Sequence, residues 1–352
     1  MRNKLLFWAW VLGLVATWAS PASAQTAPAR ELRLITDRTD QGVLRPMLDA
    51  FEARSGAKVT AVFMDQGLVA RLESRPTEAD VVITKDAELL EIAAQKGLLA
   101  TFNSKAISEG IPASFRDPGN RYFVDAYRAR VIYYAKARVK PSELSSYEDL
   151  AAPKWKGRIC IRPGGHDYNL ALFGQFMASY GEAKAKAIIQ GIAANLARTP
   201  KGNDREQAKG IFEGKCDVAL MNTYYHAMMA YTPEQKPWAD ATAVFYPNQA
   251  GKGTFIMRSA IGMTKAQGNQ DLALQFMEWL ASQEGQEAMV RATRQFSPRP
   301  DVEIHPLLST LGAEQGVPGG RFKMDFVPLA AMAGQREAVL KYVAEIGFDK
   351  ER

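Results

Sequence analysis

The sequence predicts an α/β protein of two lobes, joined by two long extended crossovers, with a ligand held in the cleft between them. Three observations carry this expectation. Short apolar runs alternate with segments of helical periodicity along most of the chain. Two extended stretches, Tyr122–Tyr134 and Phe255–Thr264, have the length of strands that leave one lobe and enter another. The chain of 352 residues, 47% hydrophobic and 23% charged, is an ordinary globular composition large enough for two domains. Two crossings between two such lobes place a ligand in the cleft and make the crossings hinges.

The beginning of the chain says where the protein works. Arg2 and Lys4 precede the apolar run Leu5–Ala16, and Ala22-Ser23-Ala24 supplies the small residues a signal peptidase accepts. Residues 1–24 are expected to be a signal peptide cleaved after Ala24, which makes the mature protein periplasmic. Trp18 and Pro21 interrupt the apolar run, so an uncleaved anchor is the weaker alternative. No cysteine follows the run to carry a lipid, so no membrane anchor is expected. Gln25–Arg30, small and proline-bearing, reads as a loose tail.

The mature chain then alternates strands and helices. Leu32–Ile35 is a strand, and Leu44, Leu48 and Phe51 recur at helical spacing before Ser55-Gly56 stops the helix. Lys58–Met64 alternates as a second strand; Val81–Ile83 is a short buried third, followed by a helix over Asp86–Gln95 that Gly97 ends. This is the pattern of a parallel βα lobe, assigned to residues 31–125. The second lobe, 126–255, holds a strand at Ile159–Arg162, helices around Leu170–Tyr180 and Glu182–Asn195, and a further strand from Asp217. Residues 256–352 are read as the return to the first lobe, with helices over Asp271–Ser282 and Glu284–Arg294, and the C-terminal helices.

The stretch Asp217–His226 is the centre of the functional reading. Its apolar run begins after Gly214-Lys-Cys216 and ends on polar residues, as a buried strand does when it delivers its C-terminal end to a ligand site. Tyr224 and Tyr225 lie at that end. Neighbouring side chains of a strand point to opposite faces, so both phenols reach one ligand only if the backbone turns, and Asn222-Thr223 is where the turn can begin.

Charge and motif exclude several classes. The formal charge of +6 falls to about +4 once the two basic residues of the signal are removed, and no basic run exists, so nucleic acid is not an expected partner. The sequence has no Gly-x-Ser-x-Gly elbow, no His-Glu-x-x-His, no Cys-x-x-Cys and no phosphate-cradling glycine loop, which argues against an enzyme. The three histidines show no metal-ligand spacing with the two cysteines, which disfavours zinc. Cys160 and Cys216 each begin an apolar stretch, and in an oxidising compartment they are expected to bond to each other; two separate buried thiols are the alternative.

Several runs together resemble a known family: Arg128-Ala-Arg-Val-Ile-Tyr-Tyr134, Pro153-Lys-Trp-Lys-Gly-Arg158, Thr199-Pro-Lys-Gly-Asn-Asp-Arg205 and Asn222-Thr-Tyr-Tyr225, with the Cys160/Cys216 pair. They are similar to the periplasmic ferric-iron-binding proteins of ABC importers, a bacterial transferrin-like family, in its cyanobacterial-type branch. The resemblance implies a two-lobed type 2 periplasmic solute-binding protein fold, expected as a monomer that serves the permease and ATPase subunits of an iron importer. It also implies Fe(III) bound by tyrosine phenolates, here Tyr168, Tyr224 and Tyr225. Carbonate or another small synergistic anion would face Arg128, with Asn203 as a further anion contact. The chemistry agrees: Fe(III) is a hard cation that prefers anionic oxygen, and a bound cation can ionise a phenol at neutral pH.

The first lobe departs from the family's pattern. Relatives commonly place a histidine or tyrosine just after the first strand, where this chain has Thr36-Asp-Arg-Thr-Asp-Gln41. Asp40 is the candidate metal ligand there and Asp86 follows the third strand, but helix-cap aspartates are the commoner explanation for both. Lys85 stands where some relatives have a carboxylate. His166 and His226 flank the tyrosines and are given no metal role. For Arg130 the plainer reading is a structural ion pair. A binding protein for another solute, such as a polyamine, thiamine or phosphonate, is the competing function on the same fold.

Overall fold

The computed structural model of the chain describes residues 30–266, 268–317 and 320–352. The expected signal peptide, and the tail up to residue 29, lie outside the described residues. Nine strands form one continuous sheet: β1 (Glu31–Thr36), β2 (Lys58–Phe63), β3 (Val81–Thr84), β4 (Tyr122–Ala135), β5 (Ile159–Cys160), β6 (Val218–Asn222), β7 (Thr242–Phe245), β8 (Thr254–Met263) and β9 (Met324–Asp325). Their order is β2-β1-β3-β8-β4-β6-β5, with β7 beside β4 and β9 beside β8.

The first lobe is built on β1, which pairs in parallel with β2 and β3. Helix Gln41–Ser55 buries Leu44, Met47, Leu48 and Phe51 on one face of these strands, where Phe51 meets the ring of Phe276 edge-on with centroids 4.8 Å apart. Asp40 caps its start, and its end is a left-handed Gly56 (φ 68°) whose amide reaches the Glu52 carbonyl at 2.9 Å. Leu68, Leu72 and Leu90 cover the opposite face. The lobe is not purely parallel as the sequence pattern suggested, because returning β8 enters antiparallel beside β3. Hydrophobic periodicity registers burial but carries no information about a neighbour's direction.

The two expected crossovers are β4 and β8, and they run antiparallel to each other. From Tyr122 to Ala129, β4 pairs with β8; from Arg130 to Tyr134 it pairs with β6, and from Ile132 to Ala135 with β7. One strand therefore belongs to both lobes. Its register breaks between Val124 and Ala126, which turns the strand where it leaves the first lobe.

The second lobe packs helices Asp167–Tyr180 and Glu182–Ala194 around Trp155, Leu220 and the far half of β4. Its other face holds helix Asp204–Phe212 over the Cys160–Cys216 disulfide, whose Cα atoms are 5.8 Å apart. The bond, expected from the sequence, joins the last residue of β5 to the turn that precedes its parallel neighbour β6. After β8, helices Gln270–Ala281 and Gln283–Thr293 complete the first-lobe core. The chain then moves to the second lobe: Leu308 and Leu311 pack with Met229 and Tyr246, and helix Arg336–Glu345 lays Val339 and Val343 among Phe173 and Phe348. Among the described residues no helix is long and apolar enough to cross a membrane.

Candidate metal and anion site

The tyrosine pair is presented by a strand-to-helix turn. β6 stops at Asn222, and helix Tyr224–Ala230 begins two residues later, so the two tyrosines sit on successive helical positions. Their rings lie 4.2 Å apart at an interplanar angle of 30°. The turn is fixed from beneath, since the Tyr133 hydroxyl donates to the carbonyls of Asn222 and Thr223 at 3.3 and 3.2 Å. Asp204, fully buried, accepts the Asn222 amide at 2.8 Å and the Arg130 guanidinium at 2.7 Å. Arg130 is thus the structural ion pair that the plainer sequence reading gave it.

Tyr168 arrives from another direction, on the first turn of helix Asp167–Tyr180. His166 caps that helix, its Nδ1 accepting the Tyr168 amide at 3.1 Å. Asn169 ties the helix down: its amide donates to the carbonyls of Arg162 and Pro163, both at 3.0 Å, while its Oδ1 accepts from Arg130 at 3.1 Å. The Arg130–Asp204 pair therefore holds both tyrosine-bearing elements at once. The Tyr168 and Tyr224 hydroxyls meet at 3.2 Å, and Tyr168, Tyr224 and Tyr225 line one cavity of about 300 Å³.

Basic side chains from both lobes complete the lining. Arg38, Lys85, Arg128, Arg205 and Arg294 line the cavity, with Asp40 as the carboxylate among them. Arg128 is almost fully buried; its Nη1 donates to the Lys85 carbonyl at 2.7 Å and to Ser259 Oγ at 3.2 Å, while Nη2 has no partner among the described residues. Arg38 Nη2 shares the same Ser259 hydroxyl at 2.8 Å, and its buried Nε is likewise unpartnered. Guanidinium groups converging with hydrogens unspent make a receptor for an anion. The guanidiniums of Arg162, Arg128 and Arg130 also stand 5.0, 5.4 and 5.6 Å from the Tyr168 ring centroid, within reach of cation–π attraction.

Burial pushes the Tyr224 phenol well above its ordinary range, reinforced by Tyr168 and Tyr225 close by. Burial also raises Tyr225, with Tyr168 and Asp204 adding to it. Without a cation these hydroxyls stay protonated at neutral pH. Burial pulls His166 and His226 down to about 4, so both are neutral. No group of three or more His, Cys, Asp or Glu among the described residues could hold a metal ion.

Five of the six side chains singled out in the sequence, Tyr168, Tyr224, Tyr225, Arg128 and Asp40, line the same cavity. Asp40 lies there as a helix cap, its Oδ1 accepting the Gly42 amide at 3.0 Å. Asn203 lies outside that lining: its Oδ1 caps helix Asp204–Phe212 by accepting the amides of Arg205 and Glu206. Asp86 is a cap as well, accepting the Glu88 amide at 3.2 Å. Sequence reasoning missed Arg38, Arg205 and Arg294. Arg38 had a signal, since it lies in the loop inspected for an aromatic ligand.

Two α/β lobes hinged by paired strands, with an oxygen-rich and basic cavity between them, define a solute-binding protein. Residues 77–309 match the bacterial extracellular solute-binding protein family, and the chain belongs to it. It is similar to iron uptake proteins A1 and A2 of Synechocystis, each 33% identical, over 85% and 87% of this chain and 82% and 88% of theirs. Among solved structures it resembles Mannheimia haemolytica ferric iron-binding protein A in an open conformation, with a TM-score of 0.81 and 35% identity over 92% of this chain and all of that one. A Trichodesmium protein in complex with iron and citrate ligands has a TM-score of 0.81 and 32% identity, over 90% of this chain and 99% of its own.

Proposed function

We propose that this protein is the periplasmic component of an ABC importer that binds Fe(III) in the interlobe cleft and delivers it to the membrane permease. The observation that carries the reading is the convergence of Tyr168, Tyr224 and Tyr225 on one cavity otherwise lined by basic side chains. Three phenolates neutralise a ferric ion and leave coordination positions open. A small anion, carbonate or a carboxylate such as citrate, fills them and is held by Arg128 and Arg38, whose unspent N–H groups support that role. Asp40 is at most a weak contributor, because its carboxylate already serves the helix. The protein is not an enzyme, and its work is capture and release.

The mature protein is taken to start after Ala24 and to act as a monomer on its permease and ATPase partners. The first lobe comprises 31–125 and the chain returning from 256; the second comprises 126–255 and, as the packing of Val339 and Val343 supports, the last helix. The test is spectroscopic. Adding ferric iron with carbonate or citrate to the metal-free protein should produce a visible phenolate-to-iron charge-transfer band. Tyr168→Phe, Tyr224→Phe and Tyr225→Phe should each weaken it. A colourless protein that retains no iron after desalting refutes the reading.

A further inference from the structure

We propose that Arg336 is an interlobe clasp that positions Tyr168 against the first lobe and sets how far the cleft stands open. Arg336 begins helix Arg336–Glu345, which is fastened to the second lobe at both ends of its apolar face. Val343 and Phe348 close over Gly164, where a Cβ would lie 2.5 Å from Val343 Cγ1, and Asp349 accepts the Gly164 amide at 2.7 Å. The helix thus moves with the loop that leads into Tyr168. Just before it, Leu329 packs on the first-lobe cluster containing Leu90, while Met332 packs in the second-lobe core. The segment is a third connection between the lobes, beside β4 and β8.

At its end the Arg336 guanidinium spans the lobes. Nη2 donates to Asp167, the residue before Tyr168, and Nη1 lies 3.4 Å from Asp86 Oδ2 in the first lobe. Asp86 is rigid because its other oxygen caps helix Ala87–Gln95. The neighbouring Lys85 reaches Asp167 at 3.9 Å and gives its carbonyl to Arg128. The contacts join the residue beside Tyr168 to the residues that hold Arg128. Without Arg336, the Asp86 and Asp167 carboxylates, with Glu88 beside them, would keep only Lys85 and Arg128 as nearby counter-charges, so repulsion would favour a wider cleft. The guanidinium is partly exposed, which limits its strength and makes it salt-sensitive.

The iron-binding arm of this proposal rests on the function proposed above, whereas the clasp itself can be read without metal. Dyes placed on exposed positions of the two lobes report the interlobe distance in the metal-free full mature chain. Arg336→Ala should shift the distribution toward wider separations at low salt, and high salt should bring wild type and variant together, widening the wild type and narrowing the variant as attraction and repulsion are both screened. Arg336→Lys should restore part of the effect. Asp86→Asn keeps a capping side chain and should open the cleft without loss of the helix. The double variant should be no wider than either single one. In the metal arm, Arg336→Ala should lower ferric affinity by about threefold to tenfold, as expected for a charge pair worth up to about 1 kcal/mol with added positioning. Unchanged distances in Arg336→Ala and Asp86→Asn, or strictly additive effects, overturn the clasp whether or not iron binds. A wild type that binds no iron but shows the salt-dependent distances overturns the metal reading and leaves the clasp standing.

Discussion

If Tyr168, Tyr224 and Tyr225 ligate Fe(III) as proposed, iron capture must be counted in protons. A free phenol ionises near pH 10, so holding one as phenolate at pH 7 costs about 4 kcal/mol. Burial and the neighbouring tyrosine lift Tyr224 and Tyr225 above that starting point, so for them the cost is larger. The cation supplies this energy, and each ligating phenol gives up one proton as the metal enters. Three ligating phenols release three protons per ferric ion. The perturbation is Tyr224→Phe, which removes one hydroxyl and leaves the ring stacked on Tyr225. It should reduce release from three protons to two and weaken the charge-transfer band. Each phenol also contributes about a tenfold loss of affinity per pH unit of acidification. The pH dependence of the variant should therefore be shallower by one power of ten per unit. The assay is pH-stat titration of the metal-free protein with a ferric chelate, corrected for protons taken up by the released chelator. Parallel chelator competition between about pH 6 and 8 gives the slope. Equal proton release and equal slopes for wild type and Tyr224→Phe would refute the phenolate argument.

Four further outcomes are expected. Arg128→Met should slow or weaken iron loading and reduce its dependence on added carbonate or citrate, measured as transfer from a chelator, because the unpaired Nη2 then no longer meets the anion. Asp40→Ala should lower thermal stability by about 1 kcal/mol through loss of the cap, while Asp40→Asn should not, and neither should change iron affinity appreciably. Reduction of Cys160–Cys216 should cost about 4 kcal/mol in denaturant unfolding on the chain-entropy account of a closed loop of this length. Arg130→Met should destabilise by less than the roughly 3–5 kcal/mol of a wholly broken buried pair, because Arg162 still lies 3.3 Å from Asp204, and should disturb Tyr168 and Tyr225 together; an unaltered iron spectrum would show that the ion pair does not position them.

Much of the site was legible because its chemistry is local. The strand ending at Asn222 and the turn before Tyr224 follow from an apolar run that stops on polar residues, and the structure turns the backbone there. The caps Asp40 and Asp86 stand before helical periodicity and serve as caps. Asn203 and Glu206 form a capping box, a local signal readable from spacing alone. The basic wall was not legible. Arg38 lies in the loop after β1, Arg205 on the first turn of helix Asp204–Phe212 and Arg294 at the C-cap of helix Gln283–Thr293, and charged residues at such exposed-looking positions are ordinarily solvated.

The sequence by itself determined the alternation of strands and helices, the two crossovers, the cysteine partnership and the oxygen donors on offer. Each depends on periodicity, on a capping or turning residue, or on the few residues of one type. Tertiary structure alone decided that β8 lies antiparallel between β3 and β4, and that Asp204 holds both tyrosine-bearing elements through Arg130 and Asn222. It also decided that the last helix returns to the second lobe, so that Arg336 meets carboxylates from both. These are contacts between residues tens to hundreds of positions apart. They arise from the direction in which buried surfaces are closed, and no local pattern in the chain encodes that direction.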